Sequence, residues 1–377
     1  MINFAKDLFQ QYDFFKENTL TNRRIKHKDI LPLIFKRRNI FKFKEIGKSY
    51  EGREIFLLKI GEGSTKVILW SQMHGNESTA TQALFDIFNF FENKKSFENE
   101  INQILKQCTL FFVPMLNPDG AERFTRRNAQ GLDINRDALR LEAPESEILM
   151  NLIDTVKPDF GFNLHDQDVW YSAGNSKFPA TLSFLAPTFN FEKEINEVRK
   201  KSMQVIVAMN KILQGIIPNH VAKYDDGFMP NAFGDNIQKR GTSTILIESG
   251  GYKNDTEKQI VRKLNFVSIL HALFSISNNS YKKEDIEYYN NIPFNKKNKL
   301  FDYILKNVIV DGEFGNYKAD IGMRRIPSPK RDTLIIDDIG DLSQNCAFFE
   351  KDAKEKQLKD IKIGGNATSI ISDFFVE

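Results

Sequence analysis

Cysteine is scarce in this chain. Only Cys108 and Cys346 occur among 377 residues, far apart, with Cys108 inside an apolar, strand-like run. A chain of this length builds its core without disulfide staples, so both are expected as free thiols in a reducing compartment. An excess of charge of one sign is missing too. The 53 basic side chains are balanced by 50 acidic ones, for a net charge of +3. That leaves no field that would imply nucleic acid or an anionic membrane as partner. Local runs such as Lys36-Arg37-Arg38 and Lys296-Lys297 read as solvated faces. No apolar run approaches the ~20 residues that span a bilayer. The segment Met1-Ile2-Asn3-Phe4-Ala5-Lys6-Asp7 lacks the basic start, long apolar stretch and small-residue cleavage site of a secretory leader. Cytoplasmic residence is therefore the expectation. Internal repeats and low-complexity tracts are also lacking.

What is present is ordinary globular material. Hydrophobic residues make up 41% and charged residues 27%, and 33 phenylalanines supply bulky core side chains. The length suits one large α/β domain with an appendage, or two domains. Residues 1–42 mix aromatic and charged positions at helical spacing (Phe4, Leu8, Phe9, Tyr12, Phe15) and read as a helical lead-in that packs on the main domain. Residues 43–284 alternate strand-like and helix-like segments, the pattern of an α/β sheet. Strands are expected at Glu54–Ile60, Val67–Trp70, Thr109–Pro114, a run ending at His165, and Ser243–Glu248. Helices are expected at Ser78–Phe91, Pro144–Val156, Glu192–Leu213 and Thr256–Phe274. Residues 285–377 change to short segments, such as Lys306–Val310, Thr333–Ile336 and Ile361–Gly364, separated by Gly, Asp, Asn and Pro, and read as a smaller β-rich region.

The chemistry concentrates at strand ends. His74-Gly75-Asn76-Glu77 follows the apolar run Lys66-Val67-Ile68-Leu69-Trp70, and His165 closes Phe160-Gly161-Phe162-Asn163-Leu164. Two imidazoles and one carboxylate form a ligand set known for catalytic zinc, with one coordination position left open for water. In open α/β sheets the carboxyl ends of strands are where ligands bind, so one shared site is expected.

Taken with Asn117-Pro118-Asp119-Gly120, Asp133-Ile134-Asn135-Arg136 and the late strand ending at Glu248, the ordered set resembles the zinc carboxypeptidase family, the carboxypeptidase A-like metallopeptidases. The matching elements cover about residues 45–275. The resemblance implies a mixed-sheet α/β/α sandwich, here with the smaller β-rich carboxyl-terminal region. It implies one Zn2+ held by His74, Glu77 and His165, with Asp133 accepting from the second ring nitrogen of His74; the other reading of Asp133 is a turn residue. Asn135 and Arg136 are implied as the pair that binds a substrate carboxylate, for which a guanidinium fork is suited. Arg127 is implied as the stabiliser of the developing oxyanion, with Arg126 beside it leaving the register open. Glu248 is implied as general base.

Two further positions follow the family's layout more loosely. Tyr224 is the nearest candidate for a substrate-contacting tyrosine, although its surroundings depart from the family pattern. Asp235 falls where the side-chain pocket is formed and reads either as a selector of a basic or diamino side chain or as a turn residue. His27, His220 and His271 are assigned no metal role. The implied activity is a metallocarboxypeptidase acting on peptides with a free carboxylate, by metal-activated water. The rivals are an amidohydrolase of the desuccinylase and aspartoacylase type, acting on N-acyl amino acids, and a non-catalytic zinc- or peptide-binding module.

Overall fold

The computed structural model describes residues 2–93, 96–297, 299–326, 328 and 332–375. The lead-in contains α1 (Ile2–Gln10) and α2 (His27–Phe35). The α/β part then runs β1 (Lys42–Lys48), β2 (Glu54–Ile60), β3 (Thr65–Ser71), α3 (Thr79–Glu92), α4 (Glu98–Gln107), β4 (Cys108–Val113), α5 (Pro118–Arg123), α6 (Pro144–Val156) and β5 (Phe160–Asp166). It continues with β6 (Ser172–Ala173), β7 (Leu182–Leu185), α7 (Glu197–Gln214), β8 (Val221–Lys223), α8 (Phe233–Lys239), β9 (Ser243–Ser249) and α9 (Gln259–Ser277). The remainder holds α10 (Glu287–Asn290), β10 (Asn295–Lys296), β11 (Leu300–Val310), β12 (Tyr317–Ile326), β13 (Thr333–Gly340), β14 (Cys346–Asp352), β15 (Gln357–Leu358) and α11 (Thr368–Phe374).

Eight strands form one mixed sheet in the order β1-β2-β4-β3-β5-β9-β7-β8. The central run β4-β3-β5-β9 is parallel, and antiparallel neighbours flank it. Strand periodicity divides the core in two. Val67 and Leu69 of β3, with Phe160, Phe162 and Leu164 of β5, pack on α1, α3, α7 and α9. Ile68 and Trp70 point the other way, onto Leu149 and Ile153 of α6 and Phe233 and Ile237 of α8. Both faces are thus covered, as a parallel sheet requires, and each buried large apolar side chain contributes about 1.5–3 kcal/mol. The fold is a mixed α/β sandwich.

α9 is long and apolar enough by composition to cross a membrane, but 83% of its apolar window is buried inside the protein. Its composition is that of a central core helix. The first helical segments pack Phe4, Leu8, Tyr12 and Phe15 into the larger core.

The carboxyl-terminal strands form a separate sheet, β13-β12-β11-β14, with β15 continuing along β11. Leu305, Val308, Ile321, Met323, Ile336 and Ile370 give it a core of its own. β6 and β10 pair as a two-stranded sheet of their own, Asn295 opposite Ala173.

Several local expectations are corrected. Ile361–Gly364 forms no strand; it turns at Gly364, φ +80°, and its end is tied to Ile336 by backbone bonds of 2.8 and 2.9 Å. α7 begins at Glu197 instead of Glu192, because Asn196 caps it by accepting from Arg199 N at 2.9 Å. Lys193, at φ +56°, already breaks the helical path before it. Arg37 is no solvated charge. It is buried, donates to Leu33 O at 2.6 Å, pairs with Glu17 at 3.3 Å and Glu92 at 3.2 Å, and lies over Phe85 and Phe88. Lys296 and Lys297 are exposed, and neither cysteine is in a disulfide.

Candidate metal centre and active-site cleft

The loop after β3 is held by close backbone contact. Gln72 enters the left-handed region, φ +51°, and a Cβ on Gly75 would lie 1.9 Å from the carbonyl carbon of Gly120, so only glycine fits there. The Asn117–Gly120 motif is the other half of this contact. Asn117 Oδ1 accepts from Gly120 N at 2.8 Å while its Nδ2 donates to Met73 O at 3.2 Å, next to His74. Asp119 is buried and accepts from Ser49 Oγ, Glu51 N and Arg53, tying the loop to the turn between β1 and β2.

This packing brings His74, Glu77 and His165 together. Their candidate ligand atoms all lie within 4.8 Å of one another, and among the described residues this is the one such group of His, Cys, Asp and Glu. His74 Nδ1 is 2.8 Å from Glu77 Oε1, His165 Nδ1 is 2.8 Å from Glu77 Oε2, and the two Nδ1 atoms are 3.2 Å apart. A proton between the rings satisfies one nitrogen at a time, whereas a divalent cation satisfies both nitrogens and the carboxylate at once. The donor set fits zinc. His74 Nε2 lies 3.1 Å from Asp133 Oδ1, the outer acceptor expected for a ligating imidazole. His165 Nε2, by contrast, is buried without a partner among the described residues.

The electrostatics follow from burial against charge. Burial acts to raise the Glu77 carboxyl, but the two histidines outweigh it and hold the group well below the usual range. Burial likewise opposes ionisation of Asp133, and His74 with Arg126 overcomes it, keeping Asp133 ionised. The His165 imidazole is pushed down by burial. His74 is lowered by burial but raised more by Glu77 and Asp133, for a net rise.

Glu248 stands beside His165, its register partner on the neighbouring parallel strand. Its Oε2 is buried with no hydrogen-bond partner among the described residues, and burial together with Glu77 and Asp166 pushes its carboxyl well above the usual range. Asp166 accepts from Thr79 Oγ1 at 2.5 Å and from Lys258 Nζ at 3.2 Å. Lys258, nearly fully buried, was not singled out from the sequence. It follows a turn on what reads as an exposed helix start.

The two arginines are resolved by direction. Arg127 turns outward and donates to Gly131 O at 2.9 Å. Arg126 lines the cleft, with Nε 3.0 Å from Asp133 Oδ2 and Nη1 3.3 Å from Glu77 Oε1. The guanidinium expected at the site from Arg127 is therefore that of Arg126. Asn135 and Arg136 also line the cleft. Asn135 Oδ1 accepts from Phe233 N at 3.0 Å, which leaves its N–H donors as the end available to a ligand, and Arg136 is braced on Asn135 O at 2.6 Å.

Tyr224 and Asp235 lie in the same cleft. The Tyr224 hydroxyl is raised by burial, by Glu248 and by its contact with Tyr171. Asp235 accepts from Met229 N at 3.2 Å and is pushed up to about 6 by burial. It braces a turn, as one of its two readings expected, and also lines the cleft. The cleft has a volume of about 560 Å³, and its far wall comes from the carboxyl-terminal sheet through Asp302, Tyr303, Phe348 and Phe349. Trp170 Nε1 donates to Asp302 Oδ2 at 2.9 Å across that junction. His27 and His220 are bonded elsewhere, to Glu54 O and Thr181.

Compared with known proteins, residues 33–213, just under half of the chain, match the zinc carboxypeptidase family. The resemblance to the zinc carboxypeptidases is borne out. Rat (Rattus norvegicus) carboxypeptidase D is 23% identical over 258 residues, 59% of this chain and 18% of that protein. A zinc carboxypeptidase of Saccharothrix mutabilis subsp. capreolus is 26% identical over 119 residues, 26% of this chain and 27% of that protein. The chain thus spans less than a fifth of the length of carboxypeptidase D. Among solved structures, the metallo-carboxypeptidase from Burkholderia cenocepacia superposes with a TM-score of 0.54 at 17% identity, covering 67% of this chain and 69% of that one. Bovine thrombin-activatable fibrinolysis inhibitor, solved with a tick carboxypeptidase inhibitor, gives 0.55 at 13% identity, covering 69% and 98%. At these identities the carboxypeptidase likeness is one of fold. The matched segment contains the His74, Glu77, Asp133, Asn135, Arg136 and His165 positions and stops short of Glu248.

Proposed function

We propose that this chain is a zinc-dependent metallocarboxypeptidase that hydrolyses the C-terminal amide bond of a peptide with a free carboxylate. The observation that carries the reading is the convergence of His74 Nδ1, His165 Nδ1 and Glu77 beside an unpartnered Glu248 carboxylate oxygen at one end of the sheet. His74, Glu77 and His165 would hold one zinc ion. Bound there, zinc supplies a Lewis acid that polarises a carbonyl and acidifies water.

The remaining work falls to the chain's own groups. Asn135 and Arg136 grip the terminal carboxylate by a planar fork and an amide donor. Arg126 presents its guanidinium to the oxygen that becomes negative as water adds to the carbonyl carbon. Glu248 accepts the proton of that water and returns it to the amide nitrogen as the C–N bond breaks, leaving a shortened peptide and a free amino acid. Its carboxyl must be ionised for the first step. Arg126 and Lys258 already act in that direction against Glu77 and Asp166.

The test is the release of C-terminal amino acids from a mixed peptide library, read by mass spectrometry with zinc-loaded and chelator-treated protein. N-acyl amino acids form a parallel arm. Metal-dependent trimming of single residues is expected, with Glu248→Gln about 10²–10⁴-fold slower. Exclusive action on the acylated amino acids, or equal rates for Glu248→Gln and the parent, defeats the reading.

A further inference from the structure

Behind the metal donors, the cleft floor is a row of side chains set by strand register. His165 is opposite Glu248, and one pleat deeper Asn163 is opposite Leu246, which in turn is opposite Leu185 on β7. Because side chains repeat every second residue, Asn163 and Leu246 face the same side as His165 and Glu248. Ala232 and Gly234, at the start of α8, close the pocket from above. In this part of the cleft Asn163 and Asp235 are polar groups among the apolar Leu185, Leu246 and Ala232.

Asn163 is the unusual one. It is completely buried, it lines the cleft, and neither its Oδ1 nor its Nδ2 has a hydrogen-bond partner among the described residues. Across from it is Gly234, where a Cβ would stand 3.4 Å from Nδ2, so this stretch of α8 presents no side chain to the amide. A buried carboxamide with both ends unpaired is unfavourable unless something entering the pocket supplies the partners.

We propose that Asn163 is a specificity-determining residue whose carboxamide reads the end group of the substrate's C-terminal side chain, favouring one that offers both a donor and an acceptor, as glutamine does. The proposal rests on the carboxypeptidase reading for the orientation of the substrate, with its carboxylate at Asn135 and Arg136. The chemistry discriminates four ways. A glutamine amide pairs with both ends of Asn163. A lysine ammonium pairs with Oδ1 and Asp235 but leaves Nδ2 unpaired. A glutamate carboxylate pairs with Nδ2 but faces Asp235. Leucine leaves both ends unpaired.

The experiment measures two things on zinc-loaded protein. One is calorimetric affinity for the free amino acids glutamine, lysine, glutamate and leucine; the other is release of the same residues from matched peptides. Glutamine is expected to rank first in both. In Asn163→Leu the glutamine-to-leucine ratio falls by about tenfold or more, the loss of two neutral hydrogen bonds. In Asn163→Asp, which offers acceptors only, the preference moves toward lysine. The melting temperature of Asn163→Leu rises, since two unpaired polar atoms leave the interior. An unchanged ratio in Asn163→Leu, or a parent protein that ranks another of the four first, overturns the proposal. Asn163-dependent glutamine binding without peptide release sinks the carboxypeptidase reading and keeps the pocket. Peptide release without a glutamine preference does the reverse, and failure of both binding and release overturns both.

Discussion

Substituting the two adjacent arginines separately tests the electrostatic design of the cleft. Arg126 approaches Asp133 at 3.0 Å, Glu77 at 3.3 Å and His74 Nδ1 at 3.2 Å, while Arg127 bonds the Gly131 carbonyl at 2.9 Å and faces away. Removing one donor aimed at a developing oxyanion costs about 2.7–4 kcal/mol, or roughly 10²–10³ in kcat. Arg126→Ala is therefore expected to lose that factor in kcat with little change in KM, because the guanidinium meets a charge that exists only in the transition state. Its folding stability barely moves. The Arg126 side chain is 44% exposed, and ion pairs at that exposure contribute about 0–1 kcal/mol. Arg127→Ala is expected to stay within about twofold of the parent in kcat, as a surface substitution far from any developing charge. The assay is steady-state hydrolysis of a short peptide, with zinc content measured on each variant so that loss of metal is not mistaken for loss of the donor. A hundredfold deficit in Arg127→Ala, or an Arg126→Ala deficit confined to KM or explained by lost zinc, refutes the assignment.

Three other outcomes follow from the same structure. Asp133→Ala removes the acceptor 3.1 Å from His74 Nε2 and is expected to weaken zinc binding about 10–100-fold, read by competition with a chelating dye; unchanged affinity would mean the contact is incidental. Asp235 has its carboxyl raised from 3.8 to about 6, so the folded protein holds that proton more tightly than the unfolded chain and loses stability as pH rises from about 4 through 6. At 1.36 kcal/mol per pH unit the penalty reaches about 3 kcal/mol above pH 6. Asp235→Asn should therefore match the parent in urea denaturation near pH 4 and exceed it near pH 7, and a gap of constant size across that range would refute the cause. Asp86 and Arg262 are a fully buried pair, 2.5 Å apart, with Tyr12 and Glu17 N also bonded to Asp86. Asp86→Ala strands the guanidinium and is expected to cost about 3–5 kcal/mol by urea denaturation, whereas a loss under 1 kcal/mol would show that Arg262 finds other partners.

Much of this architecture is legible in the chain, for reasons that can be stated element by element. Glu54–Ile60 and Pro144–Val156 are found at their expected bounds because their ends carry local signals: charged or turn residues for the strand, a proline in the first turn for the helix. The metal donors are legible because His165 lies at the end of the buried run of β5, and His74 and Glu77 lie in the loop that follows the buried run of β3. Other features depend on partners distant in sequence. Ile361–Gly364 has strand-like composition, but the chain turns at Gly364, φ +80°, just where it meets the edge of β13. Arg37 reads as surface charge until Glu17, Glu92 and the faces of Phe85 and Phe88 enclose it. Arg126 and Arg127 are adjacent and chemically alike, and only the turn between Phe124 and Leu132 decides which one faces the metal donors. Asn163 did carry a signal: it lies two residues before His165 and shares its face.

The Asn117–Gly120 motif explains why an ordered set of short matches is more informative than each match alone. None of its side chains reaches the metal donors. Asn117 instead bonds both Gly120 N and Met73 O, and Gly120 lies so close to Gly75 that Gly75 accommodates no Cβ, while a Cβ on Gly120 would run into the Asn117 side chain and Arg127 O. The loop bearing His74 and Glu77 therefore has its shape defined by a segment some forty residues later. Asp119 extends the same constraint back to Ser49, Glu51 and Arg53 before the second strand. Directly after this brace comes the stretch that supplies Arg126, Asp133, Asn135 and Arg136. The donor loop and the segment that completes its surroundings are thus two sides of one packed contact, and a chain that carried either motif without the other would lack the backbone geometry that brings Nδ1 of His74 to Glu77 and His165.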